Sequence, residues 1–288
     1  MKRWVAGVAL ALAAGSVVGA QDAVPRFSSA VQLVEVYATV TDANGPVTGL
    51  TQQDFEVLEN GRAREIGAFA AGEFPLTVAL GVDRSFSMAG EKLRLAKLAS
   101  RSFLQALGPA DRSMVVAIGN EADVIAGLST DRPAQLRAVD EIDAWSTTAL
   151  YDAVVTSLDR LEPEPGRQAL VVFSDGVDRY SRATSGEVIE RARRSRALVY
   201  PVVIGRSRPP VTAELAAISG GQSFLLRDAK ALDTTLQTIA RELRYQYLLG
   251  YVPPESSAGA NEWRSIQVRL KTPRPGLRIR ARDGYFTE

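Results

Sequence analysis

The sequence predicts a doubly wound α/β fold: a mainly parallel sheet with helices on both faces, flanked by a small β unit formed by the N- and C-terminal segments. Three observations predict it. Residues 76–82, 169–173 and 198–204 are short, nearly all-apolar runs, the pattern of strands covered on both faces. Between them apolar residues recur at helical spacing, as in Leu95, Leu98, Ala99, Phe103 and Leu107. Before residue 75 and after residue 243 the rhythm changes to short alternating segments punctuated by turn residues. The strand–helix–strand order in the middle implies parallel pairing, because parallel neighbours need a long crossover.

Residues 31–40 carry Leu33, Val34, Val36, Ala38 and Val40, mostly in alternation, and read as a strand. Asp42-Ala43-Asn44-Gly45-Pro46 is a turn; it lacks the ligand pattern of a calcium loop. Residues 50–54 form a capped single turn, 55–59 a strand, Asn60-Gly61 a tight turn and 63–69 a second strand. The helix after residues 76–82 ends at Gly108-Pro109. Strands follow at 113–118 and 123–128, then a helix around 133–142 and another marked by Leu150, Val154, Leu158 and Leu161. After strand 169–173 come a helix over 186–196, a strand over 198–204, a helix over 212–219, a short strand at 223–226 and a helix over 232–243.

The tail returns to β at 245–251, 264–271 and 277–281, broken by Pro253-Pro254 and Pro273-Arg274-Pro275-Gly276. These strands are expected to pair with the N-terminal β unit. Arg278, Arg280 and Arg282 alternate with Leu277, Ile279 and Ala281, which predicts a strand with one wet face. Tyr245, Tyr247 and Tyr251 are expected to pack inside the flank. Arg191, Arg193, Arg194 and Arg196 read as a solvated helix face rather than an anionic-surface patch. The expected organisation is a leader over 1–20, an N-terminal β extension over 21–74, the α/β domain over 75–243 and a C-terminal β extension over 244–288.

Composition excludes several chemistries. The 288 residues are 46% hydrophobic and 23% charged, enough for a proper core. The formal net charge of +1 argues against a nucleic-acid binder, which would show a basic excess. There is no histidine, so Ser-His-Asp, Cys-His and His-ligated zinc chemistry are absent. There is no cysteine, so no disulfide or thiolate forms. Lys2 and Arg3 precede an apolar run over 4–14 and the small residues Val18-Gly19-Ala20, a secretory signal with cleavage expected after Ala20. The alternative is a retained anchor. No later segment is long and apolar enough to span a bilayer, so the expected location is periplasmic or secreted.

The most informative stretch is Asp83-Arg84-Ser85-Phe86-Ser87, where the apolar run 76–82 stops. Extended backbone would point oxygens at i, i+2 and i+4 to one side. A carboxylate with two hydroxyls suits a hard cation, Mg²⁺ or Mn²⁺, ahead of zinc. Asp175 in Ser174-Asp175-Gly176 ends a second buried run, and a hydroxyl-rich loop at Ser146-Thr147-Thr148 enters a helix. In open α/β sheets ligands bind beyond the carboxyl ends of the strands, where these loops would converge.

Asp83-x-Ser85-x-Ser87, the stretch Thr148-Ala149-Leu150-Tyr151-Asp152-Ala153 and Ser174-Asp175-Gly176 resemble the von Willebrand factor A domain and its metal-ion-dependent adhesion site. The resemblance covers roughly residues 75–243. Val47-Thr48-Gly49-Leu50, Asp54-Phe55-Glu56-Val57, Gln246-Tyr247-Leu248-Leu249-Gly250-Tyr251 and Arg282-Asp283-Gly284-Tyr285-Phe286 resemble a bacterial subgroup of that family best known from Acidobacteria. The resemblance implies that Ser85 and Ser87 ligate the cation directly, and that Asp83, Thr148 and Asp175 do so directly or through water. Mg²⁺ or Mn²⁺ is implied ahead of Ca²⁺. Asp152 and Asp178 read as helix and loop carboxylates rather than ligands.

The resemblance therefore implies a non-enzymatic protein-binding module whose partner offers an Asp or Glu carboxylate to the cation. Two alternatives stay open. A Mg²⁺-dependent hydrolase or phosphotransferase could use Asp83 as nucleophile, although Ser85 stands where such enzymes place a second acid. An envelope scaffold could hold an idle metal site and bind through its β flank.

Overall fold

The computed structural model describes residues 33–228, 231–254, 261–272 and 274–287. The expected leader and its cleavage site lie outside the described residues. The chain opens with β1 (Val34–Asp42), β2 (Gly45–Pro46), a 3₁₀ turn (Gln52–Asp54), β3 (Phe55–Glu59), β4 (Arg62–Arg64) and β5 (Ala68–Gly72). The central region runs β6 (Leu76–Asp83), a 3₁₀ turn (Phe86–Met88), α1 (Glu91–Ala106), β7 (Arg112–Ile118), β8 (Ala122–Ser129), α2 (Arg132–Asp140), α3 (Leu150–Leu161) and β9 (Arg167–Ser174). It continues with α4 (Ser185–Arg194), β10 (Leu198–Ile204), α5 (Pro210–Ser219), β11 (Phe224–Leu226) and α6 (Leu232–Arg244). The tail supplies β12 (Gln246–Tyr251), β13 (Trp263–Leu270), β14 (Arg278–Arg280) and β15 (Gly284–Phe286).

The central sheet has six strands in the order β11-β10-β9-β6-β7-β8. All pair in parallel except β8, which is antiparallel to β7 at the edge. Both faces are covered, so β6, β9 and β10 are buried along their whole length. Val78, Leu80 and Val82 of β6 point into a core shared with α1, α2 and α6. Ala79 faces the opposite core with α3, α4 and α5. Strand alternation in β6 thus feeds two helical layers and leaves its carboxyl end free to carry a polar group.

The two chain ends build the flank as two antiparallel sheets. One has the order β14-β1-β12-β5 with β2 on the edge of β1; the other is β15-β13-β3-β4. Val36 sits opposite Leu249 and Val57 opposite Val268, so strands from the start and end of the chain pair directly. Val36, Val40, Phe55, Val57, Tyr247, Leu249, Tyr251 and Val268 fill one core between the sheets. Tyr247 packs on Phe55 with ring centroids 5.0 Å apart, and its hydroxyl donates to the Val47 carbonyl at 2.8 Å.

Three details depart from the sequence reading. Residues 63–69 are not one strand: β4 belongs to one sheet and β5 to the other, with the chain crossing between them. The alternating arginines do not all face water, since Arg280 Nη2 lies 2.6 Å from buried Glu242 on α6. Ala281 and Arg282 run against Gly220, the left-handed cap of α5 (φ +83°), where an added Cβ would come within 2.6 Å of the Ala281 carbonyl carbon. The arginines of α4 are likewise engaged. Arg191 pairs with Asp159 and Glu162 of the α3 end, and Arg194 lies over the Phe286 ring at 3.9 Å.

Buried phenols give the flank a pH limit. Burial, then the Glu59 carboxylate, pushes the Tyr285 phenol from its ordinary 10.0 up to about 12. Burial raises Tyr251 of the flank as well, and Tyr200 on β10 of the central sheet. Above pH 10 the unfolded chain would lose these protons while the folded one keeps them, so stability falls as pH rises. Denaturant titrations should show a falling unfolding free energy between about pH 10 and 12, and Tyr285→Phe should flatten part of that slope.

Candidate functional site

Asp83 is the last residue of β6 and is fully buried. Its Oδ1 accepts from the Ser85 backbone N–H at 2.9 Å, and its Oδ2 accepts from the Ser174 hydroxyl at 2.6 Å. Burial pushes its carboxyl above the ordinary carboxylate range, against the pull of the Ser174 and Ser85 bonds; the Asp175 charge adds to the rise. A buried anion with few donors is an unfavourable group that a cation would relieve.

The chain leaves β6 extended through Ser85 and tightens into the 3₁₀ turn, whose first residue is Phe86. The Ser85 and Ser87 hydroxyls lie 3.1 Å apart. Ser85 bridges to Ser146 in parallel fashion, with Phe86 N donating to Ser146 O at 2.8 Å and Trp145 N to Arg84 O at 3.2 Å. Arg84 lies over the Trp145 ring at 4.6 Å and pairs with Asp123. These bonds lock the 145–149 loop beside the Ser85 turn.

Thr148 follows on that loop, 1% exposed. Its carbonyl accepts from Arg179 N and Tyr180 N, both at 2.9 Å, which ties it to the segment after β9. Its hydroxyl is buried with no hydrogen-bond partner. A ligand or a water would satisfy such an orphan; the buried hydroxyls of Tyr200, Ser223 and Tyr251 also lack a partner.

Asp175 follows β9 and accepts from Lys92 Nζ at 3.0 Å. Gly176 after it takes φ +80°, and a Cβ there would sit 2.8 Å from Pro209 Cγ, so the loop after β10 closes against this step. Asp178 and Asp152 are occupied elsewhere. Asp178 accepts from Ser181 Oγ at 2.6 Å and Tyr151 N at 3.2 Å, and Asp152 accepts from Arg182 N and Ala183 N, both at 2.9 Å.

Hydrogen bonds therefore link Asp83 to Ser85 and Ser85 in turn to Ser87, while Thr148 and Asp175 sit on the adjoining loops. The donors are two carboxylates and three hydroxyls, and among the described residues no three or more acidic, His or Cys side chains cluster. This oxygen set fits a hard divalent cation and leaves it only partly neutralised. Sequence reasoning missed Lys92 and the acceptor role of Asp83 toward Ser174. Both act across long separations, 83 and 91 residues, which local spacing does not reveal.

Residues 78–177 match the von Willebrand factor type A domain. That match takes in Asp83, Ser85, Ser87, Thr148 and Asp175. The fold of the described chain is the VWA-like α/β fold. A von Willebrand factor type A protein from Catenulispora acidiphila superposes with a TM-score of 0.54 at 16% identity, covering 88% of this chain and 73% of that one. Proximal thread matrix protein 1 from the mussel byssus, with zinc in its MIDAS motif, superposes with a TM-score of 0.55 at 14% identity over 64% of this chain and 50% of that one. The PilB minor pilin of Streptococcus sanguinis gives 0.50 at 13% identity over 60% and 62%. At these identities the likeness concerns the fold. No curated protein matches the chain in sequence.

Proposed function

We propose that the protein is a metal-dependent protein-binding module, in which a cation held by Asp83, Ser85, Ser87, Thr148 and Asp175 captures an acidic side chain of a partner. The buried Asp83 carboxylate at the end of β6, together with the buried, unpartnered Thr148 hydroxyl on the adjoining loop, carries this reading. The bound ion would supply an electrophilic coordination position for an outside carboxylate. Mg²⁺ is the preferred ion, then Mn²⁺, because every donor is a hard oxygen. The reading includes a cell-envelope or secreted setting, supported by the leader-like residues 1–20. Among the described residues no helix is long and apolar enough to cross a membrane. The reading also includes the division at residues 21–74, 75–243 and 244–288 and the bacterial subgroup that the terminal motifs resemble.

No catalytic step is assigned. Asp83 is fully buried, and both its oxygens already accept hydrogen bonds, which is poor placement for a nucleophile. Calorimetric titration of chelator-treated protein with Mg²⁺, Mn²⁺, Ca²⁺ and Zn²⁺ tests the reading. One site per chain supports it, and no binding of any of the four contradicts it.

Lys92 sharpens the test. Its ammonium partly neutralises Asp175 and would repel a nearby cation. Lys92→Ala is expected to tighten Mg²⁺ binding several-fold, up to about tenfold, the range for a partly exposed charge. Lys92→Arg should leave it nearly unchanged. Equal affinity in all three proteins would show that Lys92 does not act on the site.

A further inference from the structure

The loops at the carboxyl edge of the central sheet gather exposed aromatic side chains and unpaired arginines. Phe86, Trp145 and Tyr180 are 69%, 53% and 62% exposed, and they are the exposed aromatic residues among those described. Each is tied to the candidate site. Phe86 stands between Ser85 and Ser87, Trp145 N donates to Arg84 O, and Tyr180 N donates to Thr148 O. The Trp145 ring is held by the Arg84 guanidinium, so part of its ordering cost is met before any partner arrives.

Beside them stand basic groups without a partner. Arg179 precedes Tyr180, and Arg206 and Arg208 lie on the loop that closes against Gly176 through Pro209. Among the described residues, none offers these three side chains an ion pair or a hydrogen bond. Elsewhere some surface arginines are engaged, as in Arg94 with Glu91, Arg101 with Asp140 and Arg194 with Glu190, and others, such as Arg62, Arg137 and Arg160, are not, but none of those stands next to an exposed aromatic residue in the chain. The exposed aromatic area sets this edge apart, and with the unpaired arginines it gives the aromatic and Arg enrichment of a protein docking surface.

We infer that this edge is one docking surface for an acidic protein segment: a carboxylate flanked by an apolar side chain, with a further acidic residue reaching Arg179, Arg206 or Arg208. The inference rests on the metal-site reading for the first carboxylate only. The apolar flank would lie on Phe86, Trp145 and Tyr180, excluding water from the central contact, where aromatic anchors contribute most. The basic rim would set orientation and association rate and make binding salt-sensitive. A protein is favoured over a nucleic acid because the centre of the edge carries Asp175 and Asp178 and the chain as a whole is near neutral.

The test is selection of disulfide-cyclised random peptides displayed on phage against the immobilised full chain in Mg²⁺, followed by affinity measurement of the enriched peptides. The expected result is enrichment of Asp or Glu beside Leu, Ile or an aromatic residue, with a second acidic residue nearby. Binding should fall at least about tenfold in Phe86→Ser/Trp145→Ser and in Arg206→Glu/Arg208→Glu. Asp83→Ala and chelation report on the metal separately. Peptides that need Mg²⁺ but ignore the aromatic and arginine variants overturn the docking surface while sparing the metal reading. Peptides that need the aromatic and arginine residues but ignore chelation do the reverse. No enrichment, enrichment without acidic residues, or displacement by an oligo-dT strand overturns the inference.

Discussion

Glu59→Ala is expected to lower the stability of the protein by about 3–5 kcal/mol, the range for removing one partner of a buried charged pair. Glu59 ends β3 and is fully buried. Its carboxylate accepts from Arg64 Nε at 2.8 Å, from the Tyr285 hydroxyl at 2.6 Å and lies 3.4 Å from Arg264 Nη1. Those partners stand on β4, β15 and β13, so one carboxylate ties every strand of this sheet. Among the described residues, alanine would leave the Arg264 guanidinium, 5% exposed, with only the more exposed Glu262 carboxylate at 3.4 Å as countercharge. Glu59→Gln keeps the acceptor oxygen and should cost less. Urea unfolding followed by circular dichroism reads both variants; a loss under about 1 kcal/mol for alanine would remove Glu59 from its place as the hub of the sheet.

Asp83→Ala is expected to weaken Mg²⁺ binding by at least about a hundredfold, the effect of losing one of two carboxylates from a site otherwise built of hydroxyls. The fold should survive. The substitution removes a carboxylate that burial already disfavours, and it leaves only the Ser85 N–H and Ser174 hydroxyl short of an acceptor. Metal-free stability within about 2 kcal/mol of the parent is expected from that exchange. Calorimetry gives the affinity and thermal unfolding the stability. Retained Mg²⁺ affinity would exclude Asp83 as a ligand.

The central fold was legible because its strands announce themselves. A run such as Leu170-Val171-Val172-Phe173 has apolar partners on both faces, and the helices between such runs have one apolar stripe each. The flank was legible as β but not in its connectivity. Alternation around residues 63–69 is the same whether the chain stays in one sheet or crosses to another, and the three-residue β15 exists only through its pairing with β13. Arg280 and Arg282 looked wet because a period of two marks sides, not what covers them; α6 and the cap of α5 cover theirs.

Asp83, Ser85 and Ser87 do lie close together, but not through the extended run that their spacing suggested: Ser87 sits in the 3₁₀ turn Phe86–Met88, and that turn brings its hydroxyl to within 3.1 Å of Ser85. The Lys92–Asp175 pair and the Ser174–Asp83 bond were not readable from spacing, since each joins side chains that only the folded sheet brings together. Phe86, Trp145 and Tyr180 are ordinary letters in the sequence. Their meaning comes from exposure beside the site.

Anomalous diffraction from crystals grown with Mn²⁺ tests the metal site most directly. One strong peak per chain is expected at the carboxyl end of β6, within coordination distance of the Ser85 and Ser87 hydroxyls, with Asp83, Thr148 and Asp175 around it directly or through water. A peak elsewhere, or none in crystals grown at saturating Mn²⁺, would contradict that site.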